Sequence, residues 1–542
     1  MAFHDSPPPL TPTPRDEFRF RMSPNDYDDG LFLLHSAIAV GASHDSRERY
    51  PPPRCHQNTR EVVFDIVLAW TANTLHGPRV LWVHGHPGSG KSAIAQTVAE
   101  YCARGGQLGA TFFFSHGEGD LSDGRVFFPT IAYKLAGAIP ELRAPLSRAI
   151  QSAPSLLGQP LEVQVKKLIV EPFRSASREF ASPMLIVIDA LDACNGPEMQ
   201  HRILTLLAQL VIVHHLPLCF LLTSRPTPHL RATFDSPIFR KLTTRISLDN
   251  FTSNADVRHF LRNEFARIHH LHNPSMRGIP APWPPEDVIE LLVQKSGGQF
   301  LYAALVVKYV EDGAGNPDER LRKVVLAAVS SSSVSAGFTP TDQLYHHILS
   351  AHPDPAALLR ILGPLVVLYA PLPERDLELL IGVSAGSVQG TLRGMQSLVD
   401  VPNPDPTRVS PHRVRIPQAS TAEFLVDIHR ALMFWVDRGR YHAIMVQGCI
   451  RYLLAMDGAE YINLSSYQYV RRKWIRHLVQ ATPSPELLDD LCELRFLYSR
   501  VPSEVRLVVA WLKGIPNLSH DVLDLWQSWD TQLHPEIPLY AP

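Results

Sequence analysis

Residues 79–103 read RVLWVHGHPGSGKSAIAQTVAEYCA, and this stretch decides the fold. A strand candidate, Val80–His84, runs into Gly85-His86-Pro87-Gly88-Ser89-Gly90-Lys91-Ser92, and a helix candidate follows. The spacing is that of the phosphate-cradling loop G-x-x-x-x-G-K-[ST]. Its glycines let backbone N–H groups turn inward toward phosphate oxygens, and the helix that starts at Lys91 adds the positive end of its dipole. Lys91 is placed to reach the β- and γ-phosphates and Ser92 to bind Mg²⁺. A chance glycine-rich turn would lack the flanking strand and helix, so a bound nucleoside tri- or diphosphate is expected.

Outward from the loop, apolar runs bounded by Gly, Pro or Asp recur at Ala110–Phe114, Met184–Ile188, Leu218–Thr223 and Thr244–Leu248. Such runs suit strands buried on both faces, so an α/β domain with a mostly parallel five-stranded sheet is expected. The run MLIVIDALDAC (184–194) ends in Asp189, where the acid that completes a Mg²⁺ site belongs. A strand-end Asp alone more often caps a helix; the phosphate loop shifts that balance. Asp192 is a candidate to orient a water. Arg225, in LLTSRP (221–226) at the end of the fourth strand, is a candidate to report a γ-phosphate, against the plain alternative of a surface arginine at a turn.

The rest of the chain narrows the choice. At 542 residues it is too long for one core, and roughly three or four units are expected. Lys+Arg 51 against Asp+Glu 53 leaves no domain-wide basic surface, so no nucleic acid partner is expected. The six cysteines form no CxxC pair, which fits a reducing, cytoplasmic setting. The first residues have no apolar core and do not read as a signal peptide. Ile203–Leu222 is long enough for a membrane span, but His214, His215 and Pro217 interrupt it; helix, turn and strand are expected, and no membrane partner. Ser296-Gly297-Gly298-Gln299 echoes a transporter-ATPase signature but lies downstream of the acid strand, and the histidine pairs lack partners at metal-ligand spacing.

These residues resemble the NACHT family of signal-transducing (STAND) P-loop ATPases, more narrowly the NLR-like NACHT proteins of mushroom-forming fungi. The marks are SHDSRERYPPPRCHQNTR (43–60), GHPGSGKS (85–92), ATFFFS (110–115), LIVIDALDAC (185–194), LLTSRP, SGGQFLYAALVVKYVED (296–312) and LPERDLELLIGVSAGSVQGTLRGMQSLV (372–399). The resemblance implies ADP held in a closed state, exchange for ATP, and self-association on opening. Proline and polar composition give a disordered N-terminus over 1–37 and an apolar pattern a linker and helix over 38–78; the resemblance implies the P-loop domain over 79–250 and a helical domain over 251–340. A winged-helix-like domain over 341–440, with a proline-broken hairpin at Leu398–Ile416, and a helical region over 441–542 complete the plan. Two positions depart from the family. Ala193 stands where a glutamate usually follows the second acid, and Gln418 where a histidine usually touches the diphosphate. Gln418 can donate a hydrogen bond but never carries charge, so binding is a firmer expectation than turnover. The family's C-terminal repeats do not follow.

Two readings with different consequences therefore stand: an ATP/ADP-gated switch with weak or no hydrolysis and an unknown protein partner, or a scaffold that binds nucleotide without cycling. A kinase or mechanical ATPase would need an acceptor pocket and lid arginines that the sequence does not offer.

Overall fold

The computed structural model describes residues 28–115, 119–176, 182–272, 276–312, 315–330, 338–401, 413–455, 464–494, 502–516, 518 and 520–533. Most of the expected disordered N-terminus, the serine-rich stretch after residue 330 and the middle of the hairpin candidate lie outside these residues.

Five strands form the expected parallel sheet: β1 (Val80–His84), β2 (Leu108–Phe113), β3 (Met184–Asp189), β4 (Leu218–Ser224) and β5 (Thr243–Ser247), in the order β2-β3-β4-β1-β5. The strand runs are continuously apolar because both faces are covered. Val80 and Trp82 of β1 join one core layer, and Leu81 and Val83 join the other. The helix Lys91–Arg104 lies on the second face with Ile94, Ala95 and Val98 inward. The Trp82 indole N–H donates to Ser224 Oγ at 2.8 Å, tying β1 to the end of β4.

The order has a consequence for function. β4 lies between the phosphate-loop strand and the acid strand, so its C-terminal residues, Thr223 to Arg225, emerge between the two. Ligands of open parallel sheets bind at such carboxyl ends.

The candidate membrane span resolves into the helix Pro197–Ile212 and strand β4, and among the described residues no helix is long and apolar enough to cross a membrane. The N-terminal disorder expected as far as residue 37 is corrected in its last part. Asp28–His35 is a helix with Leu31 and Leu34 buried, packed so closely on the helix Arg143–Ser152 that a Cβ on Gly30 would lie 2.3 Å from the Ser147 carbonyl oxygen.

Beyond β5 the chain is almost entirely helical. The helix Asn254–Leu271 is capped by Ser253, whose hydroxyl accepts from the Asp256 N–H at 3.0 Å. The helices Glu286–Ser296 and Phe300–Glu311 follow. Four helices from Pro340 to Thr391 accompany a small antiparallel pair, β6 (Leu372–Pro373) with β7 (Arg413–Val414). An isolated Asp400–Arg415 bridge extends it. One apolar core runs unbroken from Val257 to Trp529, so this helical lobe is bound together by continuous packing.

Candidate functional site

The phosphate loop is held open by its glycines. Gly88 has φ +76° and Gly90, which caps the helix Lys91–Arg104, has φ +93°; both are in the left-handed region that side chains resist. Lys91 Nζ donates to the carbonyl oxygens of Gly85 and His86, both at 2.8 Å. His86 is tethered from β5's end, its N–H donating to Asp249 Oδ1 at 3.2 Å and its ring Nδ1 2.9 Å from Oδ2. Burial lowers the Lys91 pKa, while the charges of Asp192 and Asp189 oppose that shift.

Asp189, 3% exposed, ends β3 opposite this loop. The Thr223 hydroxyl donates to its Oδ1 at 2.5 Å and accepts from the Ala190 N–H at 3.0 Å. Burial raises the Asp189 pKa; the Thr223 and Ser92 hydroxyls and the charges of Arg49 and Lys91 pull it back. Ser92 and Asp189 thus meet, as the sequence expected. After Asp189 the backbone turns sharply: Ala190 has φ +53°, a conformation in which a small side chain costs least. That turn brings Asp192 back, so that its Oδ1 accepts from the Arg225 N–H at 3.0 Å and its Oδ2 lies 3.3 Å from Arg225 Nε.

Arg225 is no surface arginine. Its Nη2 also pairs with Glu423, on the helix Ala419–Val426 of the helical lobe. Gln418 sits at the N-terminal cap of that same helix, and its buried amide oxygen makes no hydrogen bond among the described residues. No hydrogen bond there joins Gln418 to the phosphate loop.

Two contributors were not singled out by the sequence reading, although both lie in stretches that carry the family resemblance. Arg60 links three distant segments: its guanidinium donates to the Ser89 carbonyl oxygen at 3.0 Å and to Phe251 O, and its backbone N–H donates to Asp256 Oδ2 at 3.0 Å. Beside it lies a cavity of about 250 Å³ lined by Asn58, Arg60, Val62, Phe251, Thr252 and Asp256. The second is Leu301. A Cβ on Gly88 would lie 2.5 Å from Leu301 Cβ, so the segment that echoes a transporter signature delivers a helix start onto the phosphate loop.

The donor set fits a Mg-nucleotide. The loop offers backbone N–H groups at a helix N-terminus, Lys91 has only uncharged oxygens as hydrogen-bond partners, and a serine hydroxyl faces a buried carboxylate. Among the described residues no cluster of three or more His, Cys, Asp or Glu is arranged to hold a metal on its own.

The chain carries an α/β P-loop NTPase domain followed by helical domains. A family model, nephrocystin 3, N-terminal, matches residues 60–225, less than a third of the chain, from Arg60 to Arg225. No curated protein matches. Among solved structures the chain is similar to a signal transduction ATPase with numerous domains (STAND) and a tetratricopeptide repeat sensor from Pyrococcus horikoshii. The identity is 11% and the TM-score 0.44, over 92% of this chain and 63% of that one, so this chain spans under two thirds of its length. It is also similar to Cdc6p of Pyrobaculum aerophilum (14% identity, TM-score 0.33, 71% of this chain and 96% of that one). The ORC2 protein of Aeropyrum pernix in its ADP form is a further match (14%, 0.26, 71% and 95%).

Proposed function

We propose that this chain is an ATP/ADP-binding switch of the NACHT type, in which nucleotide exchange governs how the helical lobe is held and whether copies associate. The observation that carries the reading is Arg225. It stands between the phosphate loop and the acid strand, and it is bonded at once to Asp192 in the α/β lobe and to Glu423 in the helical lobe. A group placed to sense phosphate is thereby part of the contact between lobes, which is what a two-state device biased by a ligand requires.

In this reading the loop from Gly85 to Ser92 cradles the phosphates, Ser92 and Asp189 hold Mg²⁺, and the cavity beside Arg60 takes the base. When bound, Mg²⁺ offsets the phosphate charge. Hydrolysis is weak or absent. The residue after Asp192 is Ala193, and Asp192 itself is committed to Arg225. The short helices after Pro340 and the β6–β7 ribbon support the winged-helix reading of 341–440, with Gln418 in the place of the expected histidine. All six cysteines are free, which suits a cytoplasmic protein.

The test is the nucleotide that co-purifies with the full chain, released by denaturation and resolved by ion-exchange chromatography, beside Lys91→Ala. Near-stoichiometric ADP in the wild type and none in the variant is the expected result. Wild-type protein with no nucleotide and no thermal shift on adding MgATP overturns the switch and leaves a scaffold.

A further inference from the structure

We propose that Glu423 sets the nucleotide preference of the site, making it select a diphosphate over a triphosphate by occupying Arg225 from the helical lobe. This deepens the switch reading above and rests on it.

The argument begins with charge. Lys91 is flanked by the charges of Asp192, Asp189, Arg225 and Asp249, so Arg225 is a further cation beside the phosphate-loop lysine. A terminal phosphate extending from the loop needs such a cation, and a guanidinium with its planar fork of donors is the side chain best suited to supply it. Here one edge of that fork is already used. Nε faces Asp192 Oδ2 at 3.3 Å, and Nη2 is taken by Glu423 Oε1. Asp192 is fixed by the turn after β3 and also accepts from the Arg225 backbone N–H. Glu423 comes from another lobe, 198 residues along the chain, and is the partner that can leave.

A diphosphate ends before this pair and leaves it intact. A triphosphate brings further negative charge to Arg225 and places it against the Glu423 carboxylate, a like-charge contact in a partly desolvated cleft. Triphosphate binding therefore has to displace Glu423, and with it the helix Ala419–Val426, or be disfavoured. The carboxylate acts as a built-in substitute for the terminal phosphate. The same bond that discriminates between nucleotides thus ties discrimination to lobe contact.

A second contact across the lobes supplies a control. Arg413 lies 3.9 Å from Glu48 Oε1, and Arg415 donates to the Glu48 carbonyl oxygen, away from Arg225. Removing the Glu48 charge weakens the Arg413 pair across the lobes and leaves the Arg225 pairs in place.

The experiment is calorimetric titration of the nucleotide-stripped full chain with ADP and with a non-hydrolysable ATP analogue, both with Mg²⁺. It is done for wild type, Glu423→Gln, Glu423→Lys and Glu48→Gln. Glu423→Gln is close in shape and partly exposed; Glu423→Lys supplies a second variant in which the charge is reversed. Wild type is expected to favour ADP. Glu423→Gln should raise analogue affinity about tenfold with ADP affinity little changed, within the range typical of coupled sites. Glu423→Lys should go further, and Glu48→Gln should leave the ratio as it was. An unchanged ratio in both Glu423 variants, with both nucleotides still binding, overturns the role of Glu423 alone. An equal change in Glu48→Gln overturns it too, since general loosening would then account for the effect. Failure of wild type to bind either nucleotide overturns the switch reading along with it.

Discussion

His442 Nδ1 and His477 Nδ1 lie 2.8 Å apart inside the helical lobe, with His477 Nε2 a further 2.8 Å from the Tyr469 hydroxyl. One proton shared between two ring nitrogens requires at least one ring to be neutral, since the accepting nitrogen must keep its lone pair. Burial, then the Arg438 charge, pushes the His442 pKa down to about 4; burial, then His442 and Lys473, holds His477 well below its ordinary value. The unfolded chain therefore binds more protons than the folded one below pH 6.5, so stability falls as pH drops from there toward 4. By pH 5 the His442 share is roughly 2 kcal/mol, at about 1.4 kcal/mol per pH unit. Urea unfolding at pH 7.5 and 5.0 should show a smaller acid loss in His442→Leu than in wild type; equal losses would remove this pair as the cause.

Gly448 marks a second point where the helical lobe is unforgiving. It sits within the helix Arg438–Ala455, where alanine is intrinsically better by about 1 kcal/mol. Yet a Cβ there would lie 1.9 Å from the Leu380 carbonyl oxygen, on the backbone of the crossing helix Glu374–Ile381. Gly448→Ala should therefore destabilise the chain by roughly 1–3 kcal/mol, the cost of overpacking, and lower the thermal midpoint. A raised midpoint would show that propensity prevails and that the two helices are free to part.

The Thr223 hydroxyl opposes the burial that raises the Asp189 pKa, and its effect can be isolated by an isosteric change. Thr223→Val keeps the volume of a fully buried side chain but removes the hydroxyl that lowers the Asp189 pKa. With that opposition gone, burial raises the carboxyl further, so Asp189 takes a proton more readily as pH falls. Mg-dependent nucleotide binding should weaken by about tenfold, the equivalent of roughly 1.4 kcal/mol, and the deficit should be larger at pH 6 than at pH 8. Titrations at the two pH values check both. A deficit independent of pH would assign Thr223 to packing.

How much of this was legible in the sequence depended on distance along the chain. The strands and the phosphate loop are local: continuous apolar runs and a fixed glycine spacing carry them, and β1 begins and ends where the pattern placed it. Asp189 and Arg225 were legible as strand ends, because parallel strands deliver their carboxyl termini to one edge. Glu423 had no local mark, and Arg60 closed one of the family-like stretches without a sign of its role. Their partners lie 198 residues away in one case and 29, 191 and 196 in the other, set by how the lobes pack.

Arg60 gives the last prediction. Its backbone is in the left-handed region at φ +59°, and its guanidinium ties Ser89 in the phosphate loop to Phe251 and lies over the Phe300 ring at 5.2 Å. Burial lowers its pKa, opposed by Asp256, so the charge is held where desolvation is costly, as a group placed for a role other than stability would be. Arg60→Met keeps most of the apolar stem and loses the donors to both carbonyl oxygens. If the adjoining cavity takes the base, nucleotide affinity should fall about tenfold or more, a loss of roughly 1–3 kcal/mol for a charged donor removed from buried acceptors. Inorganic triphosphate, which has no base, should lose less than ATP. Equal losses for the two ligands would mean that Arg60 acts only by fixing the phosphate loop through Ser89, and the base would then belong elsewhere.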